Sequence, residues 1–164
     1  MKKLFLALMA VLMLASCGGD KKTGGIKELD PNASHAEILD AVMKVEKAYA
    51  EDLKLVAKSG RSEDYVNAFV KYHNGMTVLV DKYGVEAVCY DPSDISKYEY
   101  ASPAEEKRCK EKALEIYRIR ESYLDFDHNV DFDFTKEESD RMEKALMEYF
   151  EVVNKNHDPR FIGG

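Results

Sequence analysis

"SHAEILDAVMKVEKAYAEDLKLVAKSG", residues 34–60, sets Ile38, Val42, Val45, Tyr49, Leu53 and Val56 at steps of four and three. That spacing returns to one side of a helix every 3.6 residues, so the segment reads as a helix with a single apolar stripe. Both ends are marked in the sequence. Ser34 with Glu37 makes a capping box, and Gly60 stands where the chain must leave the helix. One stripe cannot bury itself, so the remaining chain has to supply partner faces.

Three further segments supply them. From Ser62 to about Tyr83, one face carries Val66, Phe69, His73, Met76, Val80 and Tyr83, with Gly84 as the stop. Gly75 in its interior costs about 1 kcal/mol relative to alanine and marks a close crossing or a kink. The third helix opens at "SPAE", with Ser102 as cap, Pro103 at the first helical position and Glu105 closing the box; its stripe is Cys109, Ala113, Ile116, Ile119 and Tyr123. The fourth opens at "TKEE", where Thr135 caps with Glu138, and carries Met142, Leu146, Tyr149 and Val153 before Pro159. The expected fold is all-α: a bundle of about four helices within residues 32–160, with the connectivity left open.

Two connections are longer than a bundle requires. Val85 to Ala101 is expected to be a long loop between the second and third helices, and loops of that length are usually functional. All ten tyrosines of the chain follow the first helix's start, and tryptophan is absent. Tyrosine suits sites with one dry and one wet end, so Tyr90, Tyr98 and Tyr100 are the candidate ligand-binding residues; the plainer alternative makes them rim residues of the bundle.

The second connection, "DFDHNVDFDF" (125–134), admits two readings. Asp125, Asp127, Asn129, Asp131 and Asp133 fall on the alternate places of a calcium loop, but Val130 stands where glycine is needed and Lys136 where a bidentate glutamate is needed. The other parity, Phe126, His128, Val130, Phe132 and Phe134, gives an extended segment with an aromatic side on the bundle and an acid side in water. The second reading is preferred, with calcium kept as the alternative.

The N-terminus carries an address. "MKKLFLALMAVLMLAS" places two lysines before an apolar run that ends in small residues, the layout of a secretory signal over residues 1–16. "LASC", Leu14 to Cys17, resembles the lipobox of bacterial lipoproteins. The resemblance implies cleavage before Cys17, a diacylglycerol on its thiol and usually a third acyl chain on the new N-terminus; two or three chains anchor stably where one does not. The apolar run is too short for a ~30 Å hydrocarbon core. Residues 17–31, with four glycines among mixed charges, read as a flexible tether spanning roughly 20 Å. Gly18 is not the aspartate that retains enterobacterial lipoproteins in the inner membrane, so the expected location is the outer membrane, facing the periplasm.

Once Lys2 and Lys3 leave with the signal, 22 basic residues face 31 acidic ones. Such a surface argues against nucleic acid and against electrostatic adhesion to anionic lipid. In an oxidising compartment Cys89 and Cys109 are expected to form a disulfide, closing a loop of about 20 residues and contributing roughly 3 kcal/mol. No C-x-x-C pair suggests redox catalysis or a cysteine zinc site.

His35, His73, His128 and His157 lie on separate elements with no i, i+4 pair. His73 reads as a core histidine, with a haem ligated by His73 and Met43 or Met142 as a lesser alternative. The nucleophile elbow, the P-loop and the dinucleotide glycine pattern are all missing, so the chain is expected not to be an enzyme and to need no cofactor. The sequence therefore predicts a membrane-anchored envelope lipoprotein whose helical domain binds an envelope protein or a small ligand. The alternative is a calcium or haem protein.

Overall fold

The computed structural model describes residues 30–91, 95 and 98–156. The signal, Cys17, most of the tether and His157 lie outside them. Among the described residues there are five helices and no strand: α1 His35–Ser59, α2 Ser62–Tyr83, the single turn α3 Val85–Val88, α4 Pro103–His128 and α5 Lys136–Lys155. None is long and apolar enough to cross a membrane.

The caps fall where the sequence puts them. Ser34 and Thr135 each accept from the N–H three residues on, while Glu37 and Glu138 return a carboxylate to the cap N–H. Ser102 accepts from the Glu105 N–H, with Pro103 at the start of α4, but Glu105 returns no bond to the cap N–H, so the box expected there is only half formed. Gly60 ends α1 at φ 63°, a left-handed conformation in which a side chain would be strained, and the chain turns through Gly60 and Arg61 straight into α2.

Side-chain pairs fix the directions. Lys71 on Asp52 and Tyr72 on Glu46 set α2 antiparallel to α1. Lys112 on Asp40 and Tyr123 on Glu46 set α4 parallel to α1, while Ser62 on Glu138 and Lys155 on Asp81 set α5 parallel to α2. The chain thus runs up, down, up, down in the spatial order α4, α1, α2, α5. α1 packs on α4 and α2, α2 packs on α5, and α4 and α5 scarcely meet. Gly75 is the close crossing: a Cβ there would come 3.3 Å from Val45 Cγ1.

Leu39, Val42, Val56, Val66, Leu79, Val80, Cys109 and Ile116 are almost wholly buried. The stripes of α1 and α4 are therefore core, whereas α5 buries only Ala145 completely.

Both connections depart from expectation. The 85–101 loop contains α3, which buries Ala87 and Val88, and Tyr90 and Ile95 are buried after it. A single turn is too short to show a period, so nothing in the sequence marks it. Residues 125–128 are the last turn of α4, not an extended chain. Alternation therefore holds only beyond the helix, where Val130, Phe132 and Phe134 pack against the core with Asp131 and Asp133 outside.

Candidate functional site

Glu46 is 0% exposed, the one buried carboxyl group in the apolar core among the described residues. It stands four residues after Val42 and three before Tyr49, so the α1 helix turns it inward with the stripe. Three phenols from three other elements donate to it: Tyr72 of α2 to Oε1 at 2.9 Å, Tyr90 beyond α3 to Oε1 at 3.0 Å, and Tyr123 of α4 to Oε2. Arg120, one turn before Tyr123, donates through Nη1 to the Tyr90 oxygen at 2.7 Å. A relay thus runs from an exposed guanidinium through Tyr90 to a dry carboxyl group.

A second acid does the same one turn further along. Asp127 Oδ1 accepts from Tyr49 at 2.7 Å and from Tyr65 at 3.0 Å. The two clusters are joined by rings: Tyr49 stacks on Tyr72 at 4.6 Å between centroids and meets Tyr123 edge-on at 5.1 Å. Burial, then the neighbouring carboxyl groups, pushes the phenols of Tyr72 and Tyr123 well above the usual range. For Tyr49 the causes are burial and then Asp127; for Tyr90 they are burial and Glu46, opposed by Arg120. Phenols held neutral in this way fix a shape, since buried polar groups with every partner in place define one arrangement of the helices.

The predicted site residues are dispersed. Tyr90 enters the Glu46 cluster, whereas Tyr98 and Tyr100 clasp His35 at 4.0 and 5.7 Å between centroids, and Tyr100 donates to the Ile95 carbonyl at 2.8 Å. The rings of Tyr98 and Tyr100 are themselves 5.4 Å apart between centroids. Of the acid row, Asp127 points inward to its phenols, Asp125, Asp131 and Asp133 are exposed, and the Asn129 amide donates to the Asp125 carbonyl at the end of α4. Among the described residues no three His, Cys, Asp or Glu side chains converge to hold a metal, so the calcium arrangement does not form.

No disulfide joins Cys89 to Cys109, which corrects the expected pairing. Cys109 faces the N-terminal end of α1, near Asp40 and Tyr98, and burial followed by Glu105 pushes its thiol up to about 11. Cys89 instead lies near Tyr149 of α5. The two side chains serve different interfaces.

His73 is held as a core histidine. Its Nδ1–H donates to the Phe69 carbonyl at 2.9 Å, and Phe69, Tyr72 and Tyr149 surround the ring at 4.0, 5.2 and 5.9 Å.

His35 was singled out by no motif. It is 4% exposed, and neither ring nitrogen has a hydrogen-bond partner. Burial lowers its pKa, with Glu105 and the Ala87 carbonyl opposing without completing a bond.

No protein-family model, no curated protein and no solved structure matches this chain.

Proposed function

We propose that this chain is a lipid-anchored protein of a bacterial envelope, attached at Cys17 and held at the outer membrane facing the periplasm. Its helical domain works by binding an envelope protein or a small ligand, not by catalysis. The observation that carries the anchor is "LASC" at the end of an apolar run preceded by two lysines. Binding without catalysis is supported by the state of the core acids. Glu46 and Asp127 accept hydrogen bonds from five phenols that burial keeps neutral, so they are engaged in holding helices together. The acidic balance of the chain points away from nucleic acid as a partner.

Metabolic labelling with an alkyne-tagged palmitate, followed by separation of inner and outer membranes, tests the anchor. The wild-type chain should carry the label and sediment with the outer membrane, whereas Cys17→Ala should be unlabelled and keep its signal. A wild-type chain that stays unlabelled, or that is found free of membranes, overturns the anchor. Turnover of a substrate by the purified protein, abolished by Glu46→Gln with the fold intact, overturns the non-catalytic reading.

A further inference from the structure

We propose that the outer faces of α4 and α5 are the two halves of one contact, the α4 face of one copy docking on the α5 face of a second copy of this chain. This rests on the reading of the domain as a membrane-anchored binding module and names its partner. α4 and α5 are the outer members of the order α4, α1, α2, α5, and each packs chiefly on one neighbour. On the side of α4 away from its buried Cys109, Ala113 and Ile116 stand Leu114, 46% exposed, and Tyr117, 41% exposed. On the side of α5 away from its buried Ala145 stand Met147, 61% exposed, and Phe150, 48% exposed. Each pair is three residues apart and shares one helix face, and adjoining apolar side chains ringed by charge mark a contact surface.

The charges around the two pairs have opposite signs. Lys110 stands one turn before Leu114 and Arg118 beside Tyr117; at the corresponding places on α5 stand Glu143 and Glu151. Glu111 and Lys144 are reversed in the same way, and all six are exposed. The ion pairs formed on these faces, Lys110 with Glu106, Glu111 with Lys107 and Lys144 with Glu148, stay within one helix. Exposed pairs of that kind contribute little, so they exchange readily for pairs with a second copy.

Bonds across the bundle set the two apolar pairs at one height. Lys112 with Asp40 and Glu115 with Lys47 place the α4 pair beside Val45 of α1, and Val45 faces Gly75 of α2. Arg141 with Asn67 and Lys155 with Asp81 bracket Gly75, which places Met147 and Phe150 level with it. Since α4 runs parallel to α1 and α5 antiparallel to it, copies standing side by side in one orientation meet α4 against α5, antiparallel, with apolar pair on apolar pair. Arg118 then comes within a turn of Glu143, and Lys110 within a turn of Glu151. Glu121 is the like-charged neighbour of Glu143, and Arg118, one turn before Glu121 on the same helix, lies close to both. A lipid anchor at Cys17 imposes that common orientation. One helix on one helix is at the small end of specific interfaces, and confinement to one membrane supplies the local concentration it needs. Because the two faces differ, every docking leaves an α4 face and an α5 face free, and copies add into rows or rings.

The mature protein in phosphatidylcholine liposomes, treated with a lysine-reactive crosslinker, should give a ladder that extends beyond the dimer. Leu114→Asp and Phe150→Asp, both at exposed positions, should each lower the crosslinked fraction at least about fivefold with helix circular dichroism unchanged. Mixed in one liposome, the two variants should recover dimers and stop there, because one keeps its α5 face and the other its α4 face. Arg118→Glu and Glu143→Arg should each thin the ladder, and the two together in one chain should restore it. A wild type without the ladder, a ladder that survives either aspartate variant, or a mixture that forms no dimers overturns the contact. Palmitate labelling of the same preparation separates the two readings: unlabelled protein that still forms the ladder overturns the anchor alone, and labelled protein without it overturns the contact alone.

Discussion

Glu46 is a single side chain on which α1, α2, α4 and the segment after α3 all converge. Replacing it with alanine strands three phenol hydroxyls in a dry core, and each unpaired buried hydroxyl costs about 1–3 kcal/mol unless it finds a new partner. Glu46→Ala should therefore lose about 3 kcal/mol or more, measured by urea unfolding followed by helix circular dichroism. Tyr123→Phe removes one donor and leaves Glu46 with two, so its loss should be about 1–2 kcal/mol. If the two variants unfold at the same urea concentration, Glu46 is not the node that the hydrogen bonds describe. Nothing local announces this residue. Its partners lie 26, 44 and 77 positions away, and a glutamate between Val45 and Lys47 reads as surface until those tyrosines are placed in space.

Helices, by contrast, are specified within a few residues, and they were legible for that reason. Ser34, Gly60, Ser102 and Thr135 stand at the ends of α1, α4 and α5 because a cap bond spans only three residues. What escaped were features with no local period: α3, a single turn, and the end of α4, where the Asp–Phe alternation of residues 125–128 hides a final helical turn. Tyr123 and Asp127 are four apart, so the helix brings both to the inner face, and Asp127 meets Tyr49 and Tyr65 where alternation would have put it in water. The helices are also unequal. α5 buries only Ala145 completely and depends more on its cap, where Thr135 and Glu138 form a box and Ser62 of α2 donates to Glu138 at 2.8 Å. Low apolar burial marks the elements that open first. Hydrogen exchange followed by mass spectrometry should show α5 amides exchanging well before those of α1. Thr135→Ala should cost about 1 kcal/mol and widen that gap. Uniform protection across α1 and α5 would mean that α5 opens only with the whole domain.

At the scale of the whole molecule, burial of neutral imidazoles makes stability depend on pH. His35 and His73 both have pKa values lowered from 6.5, in each case first by burial. A lowered value means that the unfolded chain takes up protons before the folded one does, so the stabilisation is complete above about 6.5 and is lost as pH falls towards the folded values. The two rings are not equivalent. His73 has the Phe69 carbonyl as a partner, whereas both nitrogens of His35 are buried bare between Tyr98 and Tyr100. His35→Phe keeps a ring between the two tyrosines and removes the unsatisfied nitrogens. It should raise stability at pH 7 by about 1–2 kcal/mol and shrink the loss between pH 7 and 5.5. A second fall belongs below about 4.5, where Glu138, its pKa lowered chiefly by the Thr135 backbone N–H, is protonated and releases the cap of α5. Thermal unfolding from pH 2.5 to 8 should therefore give two steps, the upper one smaller in His35→Phe and the lower one smaller in Glu138→Gln. An upper step of unchanged size in His35→Phe would assign the acid sensitivity to His73 alone.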